Sequence, residues 1–125
     1  MQPWIMIQRG MVTGWEDKMN IREELGKRML FFDGGLGSLL QARGLKPGEL
    51  PETWNLSKPE ELLAIHKEYL EAGADIILAN TFGANRFKYD HLQEIVEAAV
   101  KNAKKAAEEC GRNAYVALDL GPTGK

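Results

Sequence analysis

Three short apolar runs separated by amphipathic segments constrain the fold of this chain more than any other feature. The runs are MLFFD (residues 29–33), ADIILA (residues 74–79) and YVALDL (residues 115–120). Continuous apolar runs between amphipathic helices are typical of parallel strands that are buried on both faces. Right-handed crossovers bring the carboxyl ends of such strands to one edge of the sheet, where ligands bind in α/β folds. The sequence therefore predicts an α/β fold with its site at that edge.

Two amphipathic helices are predicted, one before the second apolar run and one between the second and third runs. One begins at a capping box formed by Ser57 and Glu60 and ends at Gly73. The other begins after Asp90 and ends at Gly111. Apolar residues at helical spacing form their buried faces, namely Leu62, Ile65, Tyr69 and Ala72 in the first helix and Leu92, Ile95, Ala99, Ala103, Ala106 and Cys110 in the second.

The remaining segments predict shorter elements and a boundary near the start of the domain. Asn20 and Glu23 have capping-box spacing and predict a helix through residue 28, and residues 36–43 predict another. Residues 46–55 contain two prolines and a glycine and predict a loop. Residues 1–18 show no sustained periodicity, so we expect an N-terminal extension there and a folded domain over residues 19–125.

Composition excludes several classes of protein. The chain has 16 Lys and Arg against 18 Asp and Glu, a net charge of −2, and 44% of its residues are hydrophobic. This balance excludes a disordered tail and argues against nucleic-acid binding driven by bulk charge. No run reaches the ~18 apolar residues that span a bilayer, and the single cysteine, Cys110, fits a reducing compartment. We expect a cytoplasmic protein with no nucleic-acid or membrane partner.

Polar side chains lie at the carboxyl end of each apolar run. They are Asp33 with Gly34 and Gly35, then Asn80 with Thr81, and finally Asp119. A carboxylate beside free glycine amides suits a ligand that carries both a cation and an anion, as an amino acid does. Turn formation and helix capping by the same residues are the structural alternative, and the residues alone leave both open.

The other candidate sites in the sequence do not support a phosphate-binding, catalytic or metal-binding role. The terminal GPTGK lacks the glycine five residues before Gly-Lys that a phosphate-binding loop requires. Neither His66 nor His91 is assigned a role, and Cys110 on an apolar helix face predicts an inert thiol. No Cys or His lies at ligand spacing from that thiol, so we predict no metal ligand in this chain.

Three segments together resemble the homocysteine S-methyltransferase family, most closely its cobalamin-dependent methionine-synthase branch. They are FFDGGLGSLLQ (residues 31–41), PETWNLSKPEELLAIHKEYLEAGADIILANTFGAN (residues 51–85) and LDLGPTGK (residues 118–125). The resemblance implies the N-terminal part of a (β/α)8 barrel, its first three β/α units. It also implies that homocysteine receives a methyl group carried on cobalamin, while zinc held by three cysteine thiolates activates the sulfur. The substrate-binding residues implied by the motifs and by the strand ends are Asp33, Gly34, Gly35, Asn80, Thr81, Phe82 and Asp119.

Two departures from the family pattern limit the activity expected of this chain. Ser38 stands where the family usually has threonine, which keeps the hydroxyl. The family's zinc cysteines come from later strands, so we expect these 125 residues alone to be inactive and to self-associate through exposed strand edges. The methyl donor is expected on a corrinoid or folate module. The alternatives are a homocysteine methyltransferase that uses betaine or S-methylmethionine, and a free-standing α/β module that binds a small anion or a partner.

Overall fold

The computed structural model describes residues 20–124, so the proposed N-terminal extension at residues 1–18 lies outside the described residues. Two parallel strands and five α-helices form the described part, with one 3-10 helix. In chain order the elements are α1 (Ile21–Glu24), α2 (Gly37–Ala42), the 3-10 helix (Pro51–Thr53), α3 (Trp54–Ser57), α4 (Pro59–Glu71), β1 (Ile76–Leu78), α5 (Leu92–Cys110) and β2 (Tyr115–Ala117). The α/β class predicted from the sequence is confirmed.

The two strands are parallel, as the apolar runs predict. β1 and β2 are parallel, with Ile77 opposite Val116. The first run lies on the other side of β1 through a single parallel bridge between Phe32 and Ile76. Backbone bonds extend this contact, because Asp75 N donates to Phe31 O at 2.8 Å. The three runs therefore lie side by side, with the second in the middle.

The prediction of a buried strand at residues 29–33 is wrong. Met29 is 73% exposed, and Phe31 and Phe32 are each 57% exposed. This segment has only one neighbouring strand within residues 20–124, so its outer edge and much of its side-chain surface have nothing to pack against there.

The core lies between the sheet and the pair α4 and α5. Small side chains on α5 let this helix lie close against Ile77 of β1 and Val116 of β2. The alanines of that face are Ala99, Ala103, Ala106 and Ala107. A second cluster surrounds Trp54, which is fully buried against Leu40 of α2 and Leu62 of α4. In residues 20–124, no helix combines the length and apolar character needed to cross a membrane.

The helix ends are confirmed where glycine sets them. Gly73 has φ +108° after α4 and Gly111 has φ +65° after α5, a conformation that favours glycine. Of the predicted apolar faces, Ile65 and Ala103 are among the buried residues, whereas Ala72 lies outside α4 and is exposed.

Two predicted helix starts and one predicted helix end require correction. Ser57 does not cap α4, because its hydroxyl donates to Thr53 O at 3.1 Å and Lys58 takes the capping position. His91, not Asp90, precedes α5. Asn20 does cap α1 by accepting from Arg22 N, but that helix ends at Glu24 instead of residue 28.

The predicted loop at residues 46–55 is also wrong in part. Its second half, with the following residues, forms the 3-10 helix (Pro51–Thr53) and α3 (Trp54–Ser57). Pro51 occupies the first position of the 3-10 helix, where its missing N–H leaves no bond unmade. Burial of Trp54 then fixes this segment against the core.

Candidate functional site

The carboxyl ends of the three apolar runs converge, as the parallel arrangement requires. Asp33, the last residue of the first run, accepts a hydrogen bond at Oδ2 from Leu78 N of β1 at 3.1 Å. Thr81, after β1, bonds with the backbone of Asp119, after β2. Hydrogen bonds therefore connect each strand end to its neighbour, and the polar residues that the sequence singled out lie at one edge of the sheet.

Asp33 has a partly unpaired carboxyl group with a raised pKa at this edge. Its second oxygen, Oδ1, is buried and has no hydrogen-bond partner in the described part of the chain. Burial raises the pKa of Asp33 to about 6, and the negative charge of Asp119 adds to the increase, although backbone N–H groups oppose it. Burial also raises the pKa of Asp119. A cation placed beside these carboxyl groups would stabilise their ionised forms.

Thr81 joins the ends of β1 and β2. Its hydroxyl donates to Asp119 O at 2.8 Å and accepts from Asp119 N at 3.0 Å, and the residue is 2% exposed. Since both the donor and an acceptor site of the hydroxyl are used, Thr81 fixes the spacing of the two strand ends.

Phe82 extends outward from the same edge. Its side chain is 57% exposed, while its carbonyl oxygen accepts from Gly121 N at 3.0 Å. A Cβ atom at Gly121 would overlap that oxygen. The close backbone approach therefore requires glycine at residue 121, and it leaves the Phe82 ring facing outward at the rim.

Asn80 has a different environment from the other strand-end residues. Its side-chain nitrogen donates to Pro51 O and to Asn55 Oδ1, both at 2.9 Å, and the residue is 4% exposed. Asn55 Nδ2 donates in return to Asn80 O at 2.9 Å. The amide of Asn80 thus anchors β1 to the Pro51–Thr53 helix and α3.

Gly34 and Gly35 lie in the segment that connects Asp33 to α2, and Tyr69 of α4 contacts this segment. The Tyr69 hydroxyl donates to Gly35 O at 2.6 Å. A Cβ atom at Gly34 would lie 2.9 Å from the Tyr69 hydroxyl oxygen, whereas one at Gly35 would meet only Ser38 Oγ at 3.8 Å. The two adjacent glycines therefore differ sharply in the space available to a side chain.

This difference gives a matched pair of substitutions. We expect Gly34→Ala to lower the free energy of unfolding by about 1 kcal/mol, because the new methyl group displaces the Tyr69 hydroxyl from Gly35 O. Gly35→Ala should stay within about 0.5 kcal/mol of the parent protein. Urea denaturation measures both, and Tyr69→Phe should remove most of the difference between them. Equal effects of the two alanines in the parent background would contradict this assignment.

Sequence reasoning missed four residues that support the site: Glu52, Asn55, Tyr69 and Tyr89. Glu52 and Asn55 lie in the segment predicted as a loop, and the sequence predicts Tyr69 only on an apolar helix face. Both Glu52 and Tyr89 are buried, and their side chains bond to each other at 2.8 Å. A glutamate and an asparagine flanking an apolar tryptophan, as in PETWN, were the available signal that this segment is anchored in the interior.

The described residues do not match the zinc site implied by the resemblance. Residues 20–124 contain no group of three His, Cys, Asp or Glu side chains close enough to hold a metal ion. Cys110 is half-buried at the end of α5 and packs beside the alanine-rich core. We therefore assign no metal ligand within this range.

Comparisons with known proteins agree on one family. The homocysteine S-methyltransferase family model matches residues 30–125. Methionine synthase of Mycobacterium tuberculosis (strain ATCC 25618 / H37Rv) is 31% identical over 121 residues, covering 85% of this chain and 10% of that protein. The metallated form of the homocysteine methyltransferase MmuM from Escherichia coli superposes with a TM-score of 0.70 at 23% identity, over 83% of this chain and 42% of that one.

The apo form of MmuM gives a TM-score of 0.54 at 26% identity, over 72% of this chain and 32% of that one. The fold described above therefore matches part of a homocysteine methyltransferase structure. The chain spans about a tenth of the methionine synthase and less than half of the MmuM chain.

Proposed function

The chain belongs to the homocysteine S-methyltransferase family, and on that premise we propose that its strand ends hold the amino-acid end of homocysteine during transfer of a methyl group to the sulfur. In this proposal residues 19–125 are the first three β/α units of a (β/α)8 barrel, preceded by an extension at residues 1–18. The solved homocysteine methyltransferase structures that the chain matches in part support this assignment.

One observation carries the proposal: the unpartnered Oδ1 of Asp33 lies buried at the edge where the strand ends meet. The free oxygen of this carboxyl group can accept a hydrogen bond from an ammonium group, and that cation would stabilise the ionised form of a group whose pKa is raised to about 6. The amides of Gly34 and Gly35 are proposed to bind the substrate carboxylate. Thr81 and Asn80 are proposed to hold the strand ends in register, with Phe82 and Asp119 beside the substrate.

The reaction proposed for the whole protein forms a new bond between sulfur and carbon. The homocysteine thiolate attacks the methyl carbon, and the electron pair of the broken bond leaves with the donor, which gives methionine. We propose a methyl group carried on cobalamin as the donor, because the methionine synthase is more similar to this chain in sequence than MmuM is. Activation of the sulfur is assigned to no residue in the range 20–124.

Loss of the Asp33 charge tests the proposed ammonium contact. We expect Asp33→Asn to weaken L-homocysteine binding about 10- to 100-fold, the effect of removing a charge-assisted hydrogen bond. Amide chemical shifts of the 125-residue chain, followed during titration with reduced L-homocysteine, give the dissociation constant. Asp90→Asn, an exposed carboxyl group before α5, is the matched control and should leave the constant unchanged.

A second ligand separates the ammonium contact from other effects of the substitution. The compound 4-mercaptobutanoate keeps the thiol and carboxylate of homocysteine but lacks its ammonium group. The parent protein should bind homocysteine more tightly than this analogue, and Asp33→Asn should bind the two equally. Equal affinity of the parent protein for both ligands would contradict the proposal.

A further inference from the structure

The buried carboxylate of Glu52 contacts the loop that follows β1. The residue is 3% exposed, although it lies on the short 3-10 helix (Pro51–Thr53). Its Oε1 accepts from Gly83 N at 2.5 Å, and its Oε2 accepts from the Tyr89 hydroxyl at 2.8 Å. Both oxygens of the carboxylate are therefore bonded to the two ends of the loop at residues 83–89.

The contact with Gly83 depends on close approach. A Cβ atom at residue 83 would lie 2.7 Å from Glu52 Oε1, so the backbone can reach the carboxylate only because this residue is glycine. Burial, and then the bond to Glu52, raises the pKa of Tyr89, which keeps its hydroxyl protonated as a donor. The three groups thus form a satisfied, buried polar cluster.

This cluster bears directly on the strand-end residues. Gly83 follows Thr81 and Phe82 in the chain, and each of these three residues is held by a different partner. Thr81 bonds to Asp119, the Phe82 carbonyl accepts from Gly121, and Gly83 donates to Glu52. Removal of the carboxylate would free the third of these attachments while leaving the two strand-end contacts in place.

We propose that Glu52 is a positioning residue that fixes the backbone of residues 81–83 and thereby sets the affinity of the strand-end site for homocysteine. The role for homocysteine rests on the function proposed above. In this proposal the carboxylate acts through its hydrogen bond with the Gly83 amide and contacts no atom of the substrate. Charge-assisted hydrogen bonds to backbone N–H groups are strong enough to hold a loop conformation.

Three variants of the 125-residue chain test this role. Glu52→Ala should weaken L-homocysteine binding about tenfold, as expected for a lost charge-assisted hydrogen bond. Glu52→Gln keeps an acceptor for Gly83 N and should stay within about threefold of the parent protein. Glu49→Ala is the matched control, because Glu49 also accepts two N–H bonds, from Trp54 Nε1 and Lys46 N, but does not contact the loop.

Binding is measured by amide chemical shifts at low temperature, and the dispersion of each spectrum checks that the variant is folded, so that a change in stability alone does not alter the dissociation constant. Weak binding by Glu52→Ala with recovery in Glu52→Gln supports the proposal. Unchanged binding by Glu52→Ala, or an equal loss in Glu49→Ala, overturns it.

Hydrogen exchange separates this inference from the proposed function. If the parent protein shows no binding of homocysteine, the proposed function fails, and the positioning role is read from amide exchange at residues 81–83. Glu52→Ala should then accelerate exchange at these amides about tenfold or more, and Glu49→Ala should not. Unchanged exchange in Glu52→Ala overturns the positioning role as well.

Discussion

Replacing Asn55 with alanine should lower the free energy of unfolding by about 3 kcal/mol or more, because it leaves several buried polar groups without partners. The Asn55 side-chain nitrogen donates to Asn80 O at 2.9 Å and to Ile95 O at 3.2 Å. Its oxygen accepts from Asn80 Nδ2 at 2.9 Å. Asn55 is 2% exposed, so water cannot replace these bonds without opening the structure.

Two further substitutions sharpen this prediction. Asn55→Asp keeps the size and the acceptor but cannot donate to the two carbonyl groups, so it too should be strongly destabilising at neutral pH. Asn113→Ala, an exposed position, is the matched control and should change the free energy of unfolding by less than about 0.5 kcal/mol. Urea denaturation followed by tryptophan fluorescence measures all three. A similar small effect of Asn55→Ala and Asn113→Ala would contradict the role assigned to Asn55.

Acidification should destabilise the protein through His66. This residue is 1% exposed in α4, neither ring nitrogen has a hydrogen-bond partner among residues 20–124, and burial lowers its pKa to about 4. The unfolded chain, with a histidine pKa near 6.5, binds the proton more tightly. Stability from neutral His66 is therefore fully present above about pH 6.5 and is lost as the pH falls towards 4, by about 3 kcal/mol in total.

Asp33 has the opposite pH dependence and masks this effect in the parent protein. Because its folded pKa of about 6 exceeds the ordinary value of 3.8, its protonated form favours the folded state, and that stability is lost as the pH rises through 6. The two groups thus offset each other in part between pH 4 and 6. The Asp33→Asn background removes one of them and should show the full loss of stability on acidification.

Denaturant titrations at pH 7, 6, 5 and 4 measure this dependence. In the Asp33→Asn background, the additional change His66→Leu should raise stability at pH 4 and flatten the profile, since an apolar side chain suits the site at every pH. The matched control, Asn113→Leu, introduces the same apolar side chain at an exposed position without removing a titratable group and should leave the slope unchanged. An equal slope with and without His66 would contradict the assignment.

The features that the sequence predicted correctly are those with local causes. The strands within the second and third apolar runs, the alanine-rich face of α5 and the glycines at residues 73 and 111 follow from periodicity and backbone conformation. The convergence of Asp33, Thr81 and Asp119 follows from parallel topology, because strands joined by right-handed crossovers end at one edge.

The features that sequence reasoning missed depend on contacts between distant residues. Glu52 bonds to a glycine 31 positions away, and Asn55 to a carbonyl 40 positions away. The pattern PETWN indicates that the segment is anchored, but it does not identify these distant partners, and the prolines and glycine around it predict a loop. The capping box at Ser57 failed for a related reason, since the Thr53 carbonyl of the neighbouring helix competes for its hydroxyl.

The central claim is that Asp33 binds the ammonium group of homocysteine. Its most direct test is the side-chain carboxyl ¹³C signal of Asp33, titrated with acid in the presence and absence of saturating L-homocysteine. The account predicts a midpoint near pH 6 without ligand and a midpoint lower by at least about one pH unit with homocysteine. With 4-mercaptobutanoate, which lacks the ammonium group, no such fall is expected. The same midpoint with and without homocysteine would contradict the account.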